Sequence, residues 1–300
     1  MNMRMKWLRR IACAALPFLG TGVAGASEPA RPSVSAAALQ GRFAAMKESL
    51  DHNAFKRPLR MESTESPTGV SGEIHAIVDH PFSTSGTALS KPSQWCDVLI
   101  LHLNTKYCRP GTNAGGPTVH LRIGKKHDQP MGEAHKVDFA FRVVALNPGY
   151  LQVTLEAGEG PFGTSDYRIV LEAAPAPDGR TLVRLSYSYA FGIAGRIAMQ
   201  AYLGTAARDK VGFTVDGKLA DGTPRFVGGS RGLVERNTMR YFLAIDAYLG
   251  ALSTPAAGRM EKSLHDWFAG SERYPRQLRE MEQGDYLAMK RKEYLRQQAG

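Results

Sequence analysis

The spacing of hydrophobic residues changes period twice along this chain, and each change marks a different kind of element. From Ser35, apolar side chains fall at Leu39, Phe43, Met46 and Leu50, which predicts a helical stripe ending near His52-Asn53. Arg57–Met61 and Gly72–Val78 read as two short strands around the turn signal Ser66-Pro67-Thr68-Gly69. Phe82–Leu89 reads as a short helix. Pro92-Ser93-Gln94-Trp95 opens another, because proline fits a first helical turn. Period two then takes over, in runs carrying Val119, Leu121 and Ile123, then Val137, Phe139, Phe141 and Val143, then Leu151, Val153 and Leu155. Tyr167, Ile169 and Leu171 follow, and Val183, Leu185, Tyr187, Tyr189 and Phe191 close the series. Such runs, joined by turns such as Asn147-Pro148-Gly149, predict an antiparallel meander with one buried face.

Helical spacing then returns. Ile193–Ala207 is helix-compatible, and Val211–Val215 reads as a short strand among Gly/Asp turns. Leu233–Leu252 is the best helix, with a stripe of Val234, Thr238, Tyr241, Ile245, Tyr248 and Leu252 that Thr254-Pro255 stops. From Gly258 the composition shifts to charged helix formers anchored by Trp267, Phe268, Leu278, Met281, Tyr286 and Leu287. This predicts one or two amphipathic helices packed outside the main domain.

The first residues alter how the rest is read. Arg4, Lys6, Arg9 and Arg10 precede an apolar core from Ile11 to Val23, and Ala24-Gly25-Ala26 offers the small residues that a signal peptidase needs. The expected organisation is a signal peptide at 1–26, a domain at 33–254 with a leading helix, and a charged helical tail at 255–300. The expected location is the periplasm or the exterior. Loss of the four leading cations lowers the formal charge from +10 to +6, with no dense basic patch before the C-terminus. Nucleic acid is therefore not an expected partner; an anionic membrane surface or a ligand anion is. Cys96 and Cys108 remain as an even pair in an oxidising compartment. A bond between them makes Trp95–Arg109 double back, since disulfide Cα atoms lie within about 7 Å of each other. Without a Cys-x-x-Cys spacing, the pair reads as a staple rather than a redox centre.

The order of elements is hairpin, short helices, antiparallel meander and long helix, over roughly Leu59–Leu252. With Pro81-Phe82 through Leu89 and Pro92-Ser93-Gln94-Trp95 as its short-helix passage, it resembles the helix-grip fold of the START and Bet v 1-like superfamily, which includes the polyketide cyclase-like (SRPBCC) proteins. The resemblance implies an α+β fold, an antiparallel sheet wrapped around a long C-terminal helix, with extra N- and C-terminal helices. It also implies a sheet–helix cavity for a lipid, sterol or other apolar molecule; some members are cyclases or hydrolases. The stretch 193–207, the Gly/Asp-rich segment after it and the tail lie outside the simple pattern.

Few residues suggest chemistry. His75, Asp79 and His80 lack metal-ligand spacing, as do His102, His120, His127 and His135. No Gly-x-Ser-x-Gly elbow occurs, and neither glycine run has a nucleotide-loop context. No cofactor or metal is expected. Arg231, Glu235, Arg236 and Arg240 cluster at the start of the long helix, where they read either as a polar gate or anion contact or as a solvated first turn. Tyr187, Tyr189 and Phe191 share one strand face, as core packing or as pocket lining. The expected ligand-binding set is Trp95, Tyr187, Tyr189, Phe191, Arg231, Glu235, Arg236 and Tyr241, with no assigned catalytic residue. The leading expectation is an exported carrier of a hydrophobic or lipid-like molecule. Its alternatives are an interaction module docking through the basic helix that holds Lys290-Arg291-Lys292, and an enzyme using acid–base chemistry from Glu235, Arg231 or a tyrosine.

Overall fold

A computed structural model describes residues 35–192, 195–197, 205 and 209–299. The signal-peptide reading of 1–26 and most of the helix reading of 193–207 lie outside the described residues. Ser35 starts the first helix as its N-cap, its hydroxyl accepting from the Ala38 N–H at 3.2 Å. The single helix expected there is two, α1 (Ala36–Ala45) and α2 (Lys47–Asp51), broken at Met46. Strands β1 (Leu59–Ser66) and β2 (Gly69–Val78) form the hairpin, and α3 (Phe82–Ala88) and α4 (Pro92–Leu99) the short-helix passage. Then come β3 (Thr105–Asn113), β4 (Gly116–Ile123), β5 (His135–Asn147), β6 (Tyr150–Glu159), β7 (Thr164–Pro175) and β8 (Thr181–Phe191). A small hairpin of β9 (Val215–Lys218) and β10 (Pro224–Phe226) leads to the long helix α5 (Gly229–Ala251). The tail holds α6 (Ala256–Glu272), α7 (Pro275–Leu278) and α8 (Gln283–Ala299).

β1 to β8 build one antiparallel sheet in the order β1-β2-β8-β7-β6-β5-β4-β3. Sequence patterning missed β3, whose Lys106, Arg109, Pro110 and Gly111 break any alternation; it survives at the sheet edge, where proline is tolerated. α5 packs on β1, β2 and β8, with α4 and α6 beside it. Gly72 makes that approach possible, because a Cβ there would stand 2.5 Å from Thr238 Oγ1 and 3.4 Å from the Val234 carbonyl. The opposite sheet face is partly covered too: Leu39, Phe43 and Leu50 pack with Tyr150, Ala174, Ala176 and Leu182. Burial on both faces explains why β6 and β7 are buried almost continuously rather than alternately.

The tail does not sit outside the domain. Leu264, Trp267, Leu278, Tyr286, Leu287 and Met289 belong to the same core cluster as α5 and the inner sheet face. Trp267 stacks on Tyr286 at 4.9 Å and donates Nε1–H to the Arg240 carbonyl at 3.0 Å. The Cys96–Cys108 disulfide joins α4 to β3, with Cα atoms 5.2 Å apart, so the chain doubles back as the pairing requires. The tail grips the same corner, since Tyr286 donates to the Leu101 carbonyl at 2.9 Å and Lys290 to those of His102 and Thr105, each at 2.7 Å. Lys290 also meets Glu293 at 2.8 Å, and the other Glu293 oxygen takes Lys106 at 3.0 Å. All three side chains are essentially inaccessible. Lys290-Arg291-Lys292 therefore does not form one exposed basic patch for docking on a membrane or another protein. Lys290 is inside, Arg291 pairs with Glu261, and Lys292 pairs with Asp128 at 2.5 Å. Among the described residues no helix is long and apolar enough to cross a membrane.

Candidate functional site

Where α5 leaves the sheet, a cavity of about 830 Å³ remains between them. Its aromatic wall follows from the strand pairing. Tyr187 and Tyr189 sit two apart on β8 and so face the same way, with Gly72 and Val70 as their β2 partners. Tyr167 sits two residues before Ile169, the β7 partner of Tyr187, and so faces the same wall. Tyr167 stacks on Tyr189 at 5.3 Å, Tyr187 meets Tyr241 of α5 edge-on at 5.2 Å, and Tyr241 stacks on His102 at 4.8 Å. Burial pushes the Tyr187, Tyr189 and Tyr241 hydroxyls well above their ordinary range, so they stay protonated. Tyr167 bonds Thr164 at 2.6 Å, whereas the buried Tyr189 hydroxyl has no partner among the described residues.

The second wall is charged. Lys126, from the loop after β4, meets Glu280 at 2.5 Å. Lys210 reaches the same carboxylate at 3.1 Å and Arg240 of α5 at 2.8 Å. Burial alone would raise the Glu280 carboxyl, but Arg240 and Lys126 outweigh it and bring it down to about 2. Lys126 falls to about 8, through burial first and repulsion from Arg240 second. Arg236, 1% exposed, lines the same side and donates to the Val211 carbonyl at 3.2 Å. His102 completes this wall. The Asn104 N–H donates to its Nδ1 at 3.1 Å, so the neutral ring carries its proton on Nε2, which is buried without a partner among the described residues. Burial, reinforced by Arg240 and Lys290, keeps His102 well below the ordinary histidine range and hence neutral.

The predicted residues separate on this map. Tyr187, Tyr189, Arg236 and Tyr241 line the cavity together. Trp95 does not; it is 1% exposed in the core, with Nε1–H on the Leu89 carbonyl at 2.9 Å. Phe191 packs beside Tyr189 at 6.2 Å without lining the cavity, and Arg231 turns to Ser63 at 3.1 Å. Glu235 is wholly buried and holds the segment before β9 against α5. It accepts from the Phe213 and Thr214 N–H groups at 2.5 and 2.9 Å, and from the Thr214 and Ser63 hydroxyls at 2.7 and 2.5 Å. A carboxylate so saturated is a clasp, which corrects its reading as an acid–base group. His102, Lys126, Lys210 and Glu280 were missed because they converge from four separate segments and no local spacing marks them. Phe162 was missed as well; it lies on the rim, 82% exposed, with a left-handed φ of 61°. Among the described residues, no group of three or more His, Cys, Asp or Glu side chains is placed to hold a metal.

No protein-family model matches the chain, and no curated protein matches it. Among solved structures, a point mutant of norcoclaurine synthase from Thalictrum flavum aligns at 16% identity and a TM-score of 0.33, over 48% of this chain and 89% of its own. Ara h 8.0201 aligns at 11% identity and a TM-score of 0.36, over 64% and 99%. Human StAR-related lipid transfer protein 5 aligns at 10% identity and a TM-score of 0.29, over 52% and 83%. The long helix laid across one antiparallel sheet is the α+β helix-grip arrangement that the order of elements predicts.

Proposed function

We propose that this protein binds and carries a hydrophobic small molecule in the cavity between sheet and α5, and that it does so after export. The observation that carries the reading is the cavity of about 830 Å³ with its continuous aromatic wall of Tyr167, Tyr187, Tyr189 and Tyr241. A solidly packed grip would leave no such space, and ligand sites are mostly apolar clefts with a few placed polar groups. The helix-grip resemblance points the same way as an analogy of fold. Export rests on the pattern of residues 1–26 and agrees with a Cys96–Cys108 disulfide. An acid–base enzyme is the weaker reading, because Glu235 is fully engaged by hydrogen bonds.

The test uses a neutral apolar fluorophore, N-phenyl-1-naphthylamine, titrated into the purified protein. Saturable one-to-one uptake is expected, weakened at least tenfold by Leu233→Trp, which fills the cavity from α5. Uptake indifferent to that substitution, in a variant that still unfolds cooperatively, overturns the proposal.

A further inference from the structure

The cavity is charged more heavily on one side than an apolar ligand needs. Its lining cations are Lys125, Lys126, Lys210 and Arg236, and its lining carboxylates are Glu133 and Glu280. Lys125 and Glu133 face each other at 4.0 Å on an exposed part of the rim and cancel. Deeper in, Glu280 is the one lining carboxylate among the described residues, and Lys126, Lys210 and Arg240 all converge on it. Lys126 and Lys210 alone outnumber the single negative charge of Glu280, which Arg240 also shares, and this leaves a positive excess at the cavity wall. Lys126 and Lys210 keep 27% and 34% of their side chains exposed, so an anion entering the cavity can reach both, and it relieves their mutual repulsion.

A second feature points to the same place. His102 holds a buried Nε2–H with no acceptor among the described residues, on a ring fixed by its Nδ1 bond to Asn104 and by its stacking on Tyr241. It lines the same cavity as Lys126, and Arg240 and Lys126 are close enough to disfavour its protonated form. A donor that stays neutral can neither pair with another cation nor lose its proton to an anion. It can give one directed hydrogen bond to an oxygen seated among the lysines. The aromatic wall begins at Tyr241, immediately behind it.

We propose that the ligand is an amphiphile with an oxyanion head group, a carboxylate or phosphate, seated against Lys126, Lys210 and Arg236 and receiving the His102 Nε2–H. Its apolar body runs along Tyr241, Tyr187, Tyr189 and Tyr167. This rests on the carrier reading above and adds the charge of the cargo.

The experiment compares three probes of equal chain length below their micelle concentrations: dodecanoate, dodecyl phosphate and dodecanol. Each is titrated calorimetrically into the full chain at low and at high salt. At least one anion is expected to bind ten times or more tighter than the alcohol at 50 mM salt, and the advantage shrinks at 500 mM. The two anions against each other identify the head group, and inorganic phosphate as competitor shows whether the head group alone suffices. The double variant Lys126→Met/Lys210→Met is expected to lose about tenfold for the preferred anion and much less for dodecanol, and its circular dichroism and cooperative melting report that it is folded. Equal binding of alcohol and anions overturns this inference and leaves the carrier standing. An anion advantage that survives the double variant overturns the assigned wall. Failure of all three probes, and of the neutral fluorophore, overturns both.

Discussion

Replacing Glu293 by glutamine should unfold this protein well before any surface change of equal size. The carboxylate lies between Lys106 and Lys290, and the three side chains are at most 1% exposed. Burial, only partly offset by Glu293, already lowers Lys290 to about 8. Glu293→Gln keeps the shape and removes the only negative charge facing the two ammonium groups within hydrogen-bond distance among the described residues. Breaking a buried pair from one side costs about 3–5 kcal/mol. At about 2–4 °C per kcal/mol for a chain of this size, Tm should fall by roughly 10 °C. Urea unfolding followed by circular dichroism gives the free energy, with Lys292→Ala as the exposed control, expected within about 0.5 kcal/mol of the parent. A pH series supplies a second signature. The folded state sheds the Lys290 proton near pH 8, whereas the unfolded chain holds it to about 10.5. In that window the unfolded state binds more protons, so stability rises with pH. Without Glu293 the folded pKa drops further and the rise begins at lower pH. A loss below about 1 kcal/mol, indistinguishable from Lys292→Ala, would refute the buried lock.

Two further outcomes follow from the packing of the tail and of α4. Truncation after Pro255 should abolish cooperative unfolding: Trp267 and Tyr286 alone bury on the order of 400 Å², worth about 10 kcal/mol, which matches the whole stability of an ordinary domain. A cooperative thermal transition in that fragment would show that the tail is dispensable. Asp97→Asn should gain stability relative to the parent as pH rises from 4 to 7. Burial raises Asp97 to about 6, so between 3.8 and 6 the folded state keeps a proton that the unfolded chain has lost, and parent stability falls with rising pH. A difference between the two proteins that does not change with pH would contradict this.

The sheet was legible because β5 to β8 each place apolar residues at every second position over part of their length (Val137 to Phe141, Leu151 to Leu155, Tyr167 to Leu171, Val183 to Phe191), and α5 because Val234, Thr238, Tyr241 and Ile245 keep one stripe. β3 was not legible, since an edge strand carrying Pro110 and charged residues needs only partners and no pattern. The tail misled for the opposite reason. Lys290 and Glu293 look solvated in sequence and are buried only because Lys106 and the carbonyls of the 102–105 corner receive them. The aromatic half of the site could be read from one strand face. The charged half could not, because Lys126, Lys210, Arg240 and Glu280 meet only through the fold. Glu235 shows the limit most clearly: its position at a helix start suggested chemistry, and only the backbone N–H groups of Phe213 and Thr214 reveal a clasp.

The sheet is open, so β1 and β3 each leave one side unpaired. β1 guards itself with Arg60, Glu62 and Glu65, and the far half of β3 with Arg109 and Pro110. The near half of β3, Thr105–Cys108, has no such residues turned outward and is buried with α8 packed against the strand. On a chain made from the N-terminus onward, that stretch of free N–H and carbonyl groups stays available to other molecules until the last helix arrives. Aggregation should therefore begin at this edge, and the yield of soluble protein should depend on how quickly the final residues find it.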